Sequence, residues 1–238
     1  MRFLYKQENI DYDFFKATNC NTTTQNILFL HGWGGNKFSF ASTINLLKCN
    51  YNILTITLPT ITPTKEVWDY EDYINLITAL LKLHNINSVI IVAHSFGFRL
   101  SCMLSHLIKV DKIIVSGGAG LKKFKLFKKI GLNNNKILLK QRRFNYLYKK
   151  IASADYLSLS ATNKKTFNNI VMVNTKNLIK FNCPMLLFWG KRDKETPISF
   201  ARKIQKTNKC KLIVTNSNHF AYLEENALFN NALIGFLK

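Results

Sequence analysis

The chain has 238 residues, 47% of them hydrophobic, with 34 Lys and Arg against 13 Asp and Glu, a formal charge of +21. That hydrophobic share excludes a disordered chain, and the length suits one medium domain with room for an insertion. No apolar run approaches the roughly 20 residues that cross a bilayer, and the charged start "MRFLYKQENIDYDFF" lacks the apolar stretch of a secretory signal, so a cytoplasmic location is expected.

In chain order, "RFLYKQ" and "DYDFFKA" read as a hairpin, so the sheet begins with antiparallel strands. The apolar run "ILFL" (27–30) ends in "HGWGG", followed by a helix-like "FSFASTINLLKCN" and the β-branched strand "YNILTITLP". "YEDYINLITALLKL" spaces Tyr73, Leu76, Ile77, Leu80 and Leu81 as one helical face, with acids in its first turn where the helix dipole favours them. Strand "SVIIVA", helix "GFRLSCMLSHLI" and strand "KIIVSGG" come next. After residue 182 the alternation resumes with strand "PMLLFWG", helix "SFARKIQK", strand "CKLIVT" and a closing helix "AYLEENALFNNALIGFL". Unbroken apolar strands alternating with amphipathic helices indicate an α/β fold, a mostly parallel sheet with helices on both faces.

Residues 119–182 interrupt the alternation, dividing the chain into a core (1–118 and 183–238) and a basic insertion. "LKKFKLFKKIGL" puts Leu121, Phe124, Phe127 and Ile130 on one helical face, and "KILLKQRRFNYLYKKI" repeats the pattern through Ile137, Phe144, Tyr148 and Ile151. Residues 121–180 hold fifteen Lys or Arg against one acid, Asp155, a balance of +14. A mostly helical insertion is expected, with an apolar underside and a basic outer face. Its aromatics recur at helical packing intervals, which argues against base stacking and against nucleic acid as a partner.

Cys20, Cys49, Cys102, Cys183 and Cys210 are odd in number and never clustered, which fits a reducing compartment and neither a disulfide framework nor a zinc site. The reactive groups lie elsewhere. Ser95 follows "VIIVA", Asp193 follows "MLLFWG" and His219 follows "KLIVTNSN", each just past the carboxyl end of a strand, where α/β sheets carry their chemistry. Alone, each reads equally well as a turn or surface residue. Together, in the order Ser, Asp, His and with Ala93-His94-Ser95-Phe96-Gly97 between strand and helix, they resemble the α/β-hydrolase superfamily. "LFLHGWGGN" is similar to the oxyanion segment of that family, "WGKRDKETP" to its acid-bearing loop, and "SNHFAYLEE" to its histidine loop.

The resemblance implies an α/β-hydrolase fold with a helical lid at 119–182, and a Ser95–His219–Asp193 triad acting through an acyl-enzyme. It implies oxyanion donors at the backbone N–H groups of Trp33 and Phe96, and no metal or organic cofactor. Phe124, Phe127, Phe144 and Tyr148 become candidates for the lid side of the substrate pocket. His31 would be structural, His94 would point away from the chemistry, and His84 and His106 would lie at the surface. A serine at position 95 disfavours epoxide hydrolases and haloalkane dehalogenases, which use aspartate. The "HGWG" and "HSFG" motifs are similar to small carboxylesterases, including the pimeloyl-acyl-carrier-protein methyl ester esterases. The expected function is therefore hydrolysis of a carboxylic ester, or thioester, of a small or acyl-chain substrate. The basic lid would attract an acidic acyl carrier protein or an anionic membrane surface. The alternative is a non-catalytic binding protein of the same fold that uses the basic lid to engage such a carrier, an anionic lipid or nucleic acid. One departure is visible: where the family often has Asp-x-Pro-Gly-x-Gly after the fourth strand, this chain reads "ITLPTITPT".

Overall fold

In the computed structural model, which describes residues 1–19, 24–121, 156, 158–173 and 175–238, strands β1 (Arg2–Tyr5) and β2 (Glu8–Phe15) form an antiparallel hairpin. Its two-residue turn holds both Lys6 and Gln7 at positive φ, 46° and 60°. That is the mirror-image turn whose twist matches a hairpin. β2 then pairs antiparallel with β4 (Asn52–Ile56), and every later pairing is parallel. With β3 (Asn26–Leu30), β5 (Ser88–His94), β6 (Lys109–Ser116), β7 (Met185–Gly190) and β8 (Cys210–Thr215), the sheet has eight strands in the order β1-β2-β4-β3-β5-β6-β7-β8.

The central parallel strands β3, β5 and β7 are almost continuous apolar runs because both faces are covered, and successive residues serve opposite faces. Leu28, Leu30, Val89, Ile91, Leu187 and Trp189 join the core under α2 (Tyr70–Leu83), α3 (Phe96–Leu107) and α5 (Ser199–Thr207). Their neighbours Ile27, Phe29, Ile90, Val92, Leu186 and Phe188 join the core under α1 (Ala41–Leu47) and α7 (Asn226–Leu237). The closing helix expected over 221–237 is two helices, α6 (Ala221–Glu224) and α7. Glu225 leaves the helical region at φ −117°, ψ 46° and lets α7 turn onto the sheet. The acids before α2 close a reciprocal cap: the Asp72 N–H donates to Asp69 Oδ1 at 3.0 Å and the Asp69 N–H to Asp72 Oδ2 at 2.9 Å. Lys6 Nζ reaches Asp72 at 2.8 Å and ties the hairpin turn to that cap. Asp111 sits within β6, at a bulge near its amino end and away from the carboxyl-end loops.

The described part of the 119–182 segment is built into the core. Leu159, Ile170, Ile179 and Phe181 are buried, and helix α4 (Ala161–Met172) begins with Ser160 Oγ accepting the Asn163 N–H at 3.1 Å. The Asn163 side chain is fully buried; its Nδ2 donates to the carbonyls of Thr60 (2.9 Å) and Thr62 (2.7 Å), and its Oδ1 accepts the Thr64 N–H at 3.2 Å. At the other end, buried Arg99 of α3 donates to the carbonyls of Ile170 (3.0 Å) and Val173, a cation where a helix presents its negative pole. Phe124, Phe127, Phe144 and Tyr148 lie outside the described residues. Among the described residues, no helix is long and apolar enough to cross a membrane.

The Asn163 bridge predicts a measurable loss. Asn163→Ala strands the buried Thr60 carbonyl and Thr64 N–H, and frees the Thr62 carbonyl, so stability should fall by about 1–3 kcal/mol. The test is the urea midpoint, expected to drop with an unchanged slope; an unchanged midpoint would show that the bridge adds nothing.

Candidate functional site

The loops that follow the parallel strands meet at one edge of the sheet. β5 ends at His94, and Ser95 turns the chain at φ 46°, ψ −105° directly into α3. A non-glycine residue in that region is strained by roughly 1–3 kcal/mol, so its surroundings must hold it there. The Ser95 N–H donates to the Ser116 carbonyl at 3.2 Å, and its own carbonyl accepts from Phe98 (3.2 Å) and Ala119 (3.1 Å). Gly97 lets α3 press onto β3: a Cβ there would lie 2.2 Å from the Leu30 carbonyl oxygen. The hydroxyl of Ser95 makes no capping hydrogen bond to the helix it opens, and the residue is half-buried.

Asp193 follows β7 and is 5% exposed. Its carboxylate accepts the N–H groups of Glu195 (2.9 Å) and Thr196 (2.8 Å), the Thr196 hydroxyl (2.7 Å) and His219 Nδ1 (2.9 Å). Burial alone would raise this carboxyl; the hydrogen bonds from His219 and Thr196 outweigh it and hold the group below the usual value. Because a carboxylate only accepts, the contact places a proton on His219 Nδ1. Nε2 of His219 is the other face of the ring, 3.3 Å from Glu195 Oε2.

Asp193 and His219 are thus joined directly, and Ser95 is joined to them through two neighbours. His94, the residue before Ser95, packs its ring 4.7 Å from that of His219 and donates from Nε2 to the His219 carbonyl at 3.2 Å. Gly117, next to the carbonyl that holds Ser95, lies against the imidazole. At φ 57°, a Cβ there would come within 3.2 Å of both Nδ1 and Cε1. The expectation that His94 points away from the chemistry is therefore corrected: the last β5 side chain faces the β8 loop and is enclosed by His219, Phe220 and Tyr222. His84 also departs from a surface residue, stacking on Phe14 with ring centroids 4.1 Å apart, whereas His106 is exposed.

The "HGWGG" loop approaches from β3. His31 Nδ1 donates to the Gly32 carbonyl (2.6 Å) and Nε2 accepts the Leu58 N–H (2.9 Å), which fixes a neutral ring. Thr60 Oγ1 accepts the Gly34 N–H at 3.2 Å and Thr57 Oγ1 the Lys37 N–H at 3.1 Å, so the "ITLPTITPT" loop supports this segment through hydroxyls. Trp33 meets Phe96 edge-on at 5.6 Å. The backbone N–H groups of both residues have no acceptor among the described residues; that of Phe96 belongs to the first turn of α3, where helical donors are unpaired. Thr196, Thr60 and Glu195 were not among the residues singled out by sequence. "KETP" and "LPTITP" carry hydroxyls that only the folded loops aim. Cys102 is a core thiol pushed up to about 12 by burial, and among the described residues no group of three His, Cys, Asp or Glu could hold a metal ion.

Two neutral buried histidines make stability depend on pH. Burial lowers His31 from 6.5 to about 4 and, together with the nearby His219, His94 from 6.5 to about 3. Between those values and 6.5 the unfolded chain binds protons that the folded chain refuses, so stability present above pH 6.5 is lost as pH falls. From pH 7 to pH 5 each ring contributes about 2 kcal/mol to that loss. The thermal midpoint should fall by roughly 10 °C over that interval, and by about half as much in His94→Asn. A midpoint independent of pH there would contradict neutral burial.

Comparison with known proteins agrees with this fold. A family profile described as "Alpha/beta hydrolase family" matches residues 27–232. The chain is similar to the uncharacterized hydrolase YugF of Bacillus subtilis (strain 168), 20% identical over 271 residues, covering 100% of this chain and 97% of the relative. Among solved structures it resembles the esterase EaEST from Exiguobacterium antarcticum, with a TM-score of 0.73 and 17% identity over 99% of this chain and 98% of that one. It also resembles MenH from S. aureus, with a TM-score of 0.67 and 20% identity over 95% and 97%. With most of its length matched by the profile and the eight-stranded sheet in place, the chain belongs to the alpha/beta hydrolase family.

Proposed function

We propose that the chain is a serine hydrolase that cleaves a carboxylic ester or thioester through an acyl-enzyme. The observation that carries the reading is the buried 2.9 Å hydrogen bond from His219 Nδ1 to Asp193, beside a serine held at positive φ between strand and helix. With its proton on Nδ1, the imidazole keeps Nε2 as the basic nitrogen. His219 takes the Ser95 proton as Oγ bonds to the substrate carbonyl carbon, and the carbonyl oxygen becomes an oxyanion. The N–H groups of Trp33 and Phe96 receive that oxyanion, each donor being worth about 2.7–4 kcal/mol in this role. The tetrahedral species expels the alcohol or thiol, protonated by His219, and leaves an acyl ester on Ser95. Water, deprotonated by the same imidazole, releases the acid and restores the serine. Asp193 stays ionised and stabilises the imidazolium. The esterase among the structural neighbours supports an ester as the substrate class.

In this reading the 119–182 segment serves as a lid, and Phe124, Phe127, Phe144 and Tyr148 are its candidates for the substrate pocket. Its basic face recruits an acidic carrier protein or an anionic membrane surface, and the enzyme acts in the cytoplasm.

The test is hydrolysis of p-nitrophenyl esters of increasing acyl length. Ser95→Ala should lower kcat by roughly 10⁶-fold and Asp193→Asn by roughly 10⁴-fold, with folding intact. Activity untouched by Ser95→Ala would overturn the triad, and none at any length would leave a binding protein built around the basic segment.

A further inference from the structure

From its place beside the histidine we infer that Glu195 forms a cation-selecting subsite on the leaving-group side of the site. This inference rests on the serine-hydrolase reading. Glu195 is anchored and free at once. Its N–H is held by Asp193 Oδ1 at 2.9 Å, whereas its side chain is 68% exposed. It lies on a loop with three exposed cations, Lys191, Arg192 and Lys194, yet its carboxylate stands beside His219, 3.3 Å from Nε2. In a chain of charge +21, this places a negative charge at the one nitrogen that moves protons.

Geometry then identifies what the carboxylate can read. Nε2 delivers a proton to the leaving-group oxygen across a hydrogen bond of roughly 2.6–3.2 Å. A carboxylate oxygen touching the same nitrogen is therefore within reach of the first few atoms beyond that oxygen. A leaving group carrying an ammonium or guanidinium is attracted there, and one carrying a carboxylate or phosphate is repelled.

The contact also couples binding to chemistry. Nδ1 already donates to Asp193, and Glu195 can only accept, so the pair of contacts is satisfied in full by an imidazolium. A cation that draws Glu195 away leaves Nε2 to Ser95. Among the described groups, the polar and charged neighbours of the imidazole are Asp193, Thr196, His94 and Glu195; Glu195 alone of these is exposed.

The experiment compares esters sharing the acyl chain best hydrolysed as a p-nitrophenyl ester, with choline, its neutral isostere 3,3-dimethylbutanol, and 3-hydroxypropanoate as leaving groups. Wild type should show a kcat/KM ratio of choline to neutral ester of about two- to fivefold, the range of an exposed ion pair, with the anionic ester below both. The ratio should approach one in roughly 1 M salt, where the Debye length is about 3 Å. Glu195→Gln should bring it to one at low salt, and Glu195→Lys below one. A wild-type ratio of one, or a preference that survives Glu195→Gln, overturns the subsite while the neutral ester still reports a working, Ser95-dependent hydrolase. No Ser95-dependent hydrolysis of the neutral ester or of any p-nitrophenyl ester overturns the serine-hydrolase reading, and the subsite with it.

Discussion

Ser95 holds a φ of 46° because the helix it opens is pressed onto the sheet at Gly97, where any Cβ would lie 2.2 Å from the Leu30 carbonyl oxygen. Were α3 to stand further from β3, the turn could relax into an ordinary helix start and the hydroxyl would swing away from the sheet edge. The close approach is itself sustained by burial: Ala93, Phe96, Phe98 and Leu100 are almost wholly shielded from water on the face that α3 covers. Strain of a few kcal/mol in one residue is small beside that apolar contact, each fully buried large side chain contributing about 1.5–3 kcal/mol.

From that turn the polar architecture spreads through loops that cannot hold themselves. The "HGWGG" segment leans on His31, Thr57 and Thr60, and Thr60 leans in turn on Asn163 of α4. Phe167 of the same helix touches Trp33 at 4.9 Å, and Trp33 touches Phe96. One helix from the segment between β6 and β7 therefore touches Trp33 directly and reaches Phe96 through it. A displacement of α4 would be felt at Trp33 through an aromatic contact and at Gly34 through a hydrogen-bonded chain. This gives the intervening segment a physical route to the reacting atoms that needs no direct contact with substrate.

The sheet and its helices were legible because their signals are local. Unbroken apolar strands, the capping acids before α2 and the small residues around Ser95 are each visible within a few positions. The order Ser95, Asp193, His219 was legible because parallel strands all end at the same edge, so sequence order alone brings these residues near one another. What sequence left out depends on contacts between distant segments. His94 lies 125 residues from the carbonyl it reaches, and Asn163 about 100 from the loop it bridges. The break at Glu225 was missed because "AYLEENALFNNALIGFL" has no Pro, and its one Gly, Gly235, lies well after the break; the interruption comes from how Tyr222 and Phe229 pack on one another and on the sheet. Glu195 looked like one more charge in a loop of charges until its carboxylate was found at His219.

The correction at His94 bears on the chemistry itself. The proposed acyl transfer at Ser95 would turn His219 into a cation, and a second cation 4.7 Å away would oppose that step. Burial lowers His94 to about 3, with the neighbouring His219 adding to the shift, so the ring stays neutral wherever the fold survives. A neutral ring does here what a lysine or arginine in that position could not. It fills the space behind the imidazole, fastens the His219 carbonyl at 3.2 Å, and brings no positive charge. The imidazolium is then bounded by Asp193 on one nitrogen and Glu195 beside the other. In a chain with 34 basic residues, the described polar neighbours of the ring that would become positive are acidic, hydroxylic or neutral, so among the described residues the imidazolium would meet no competing cation.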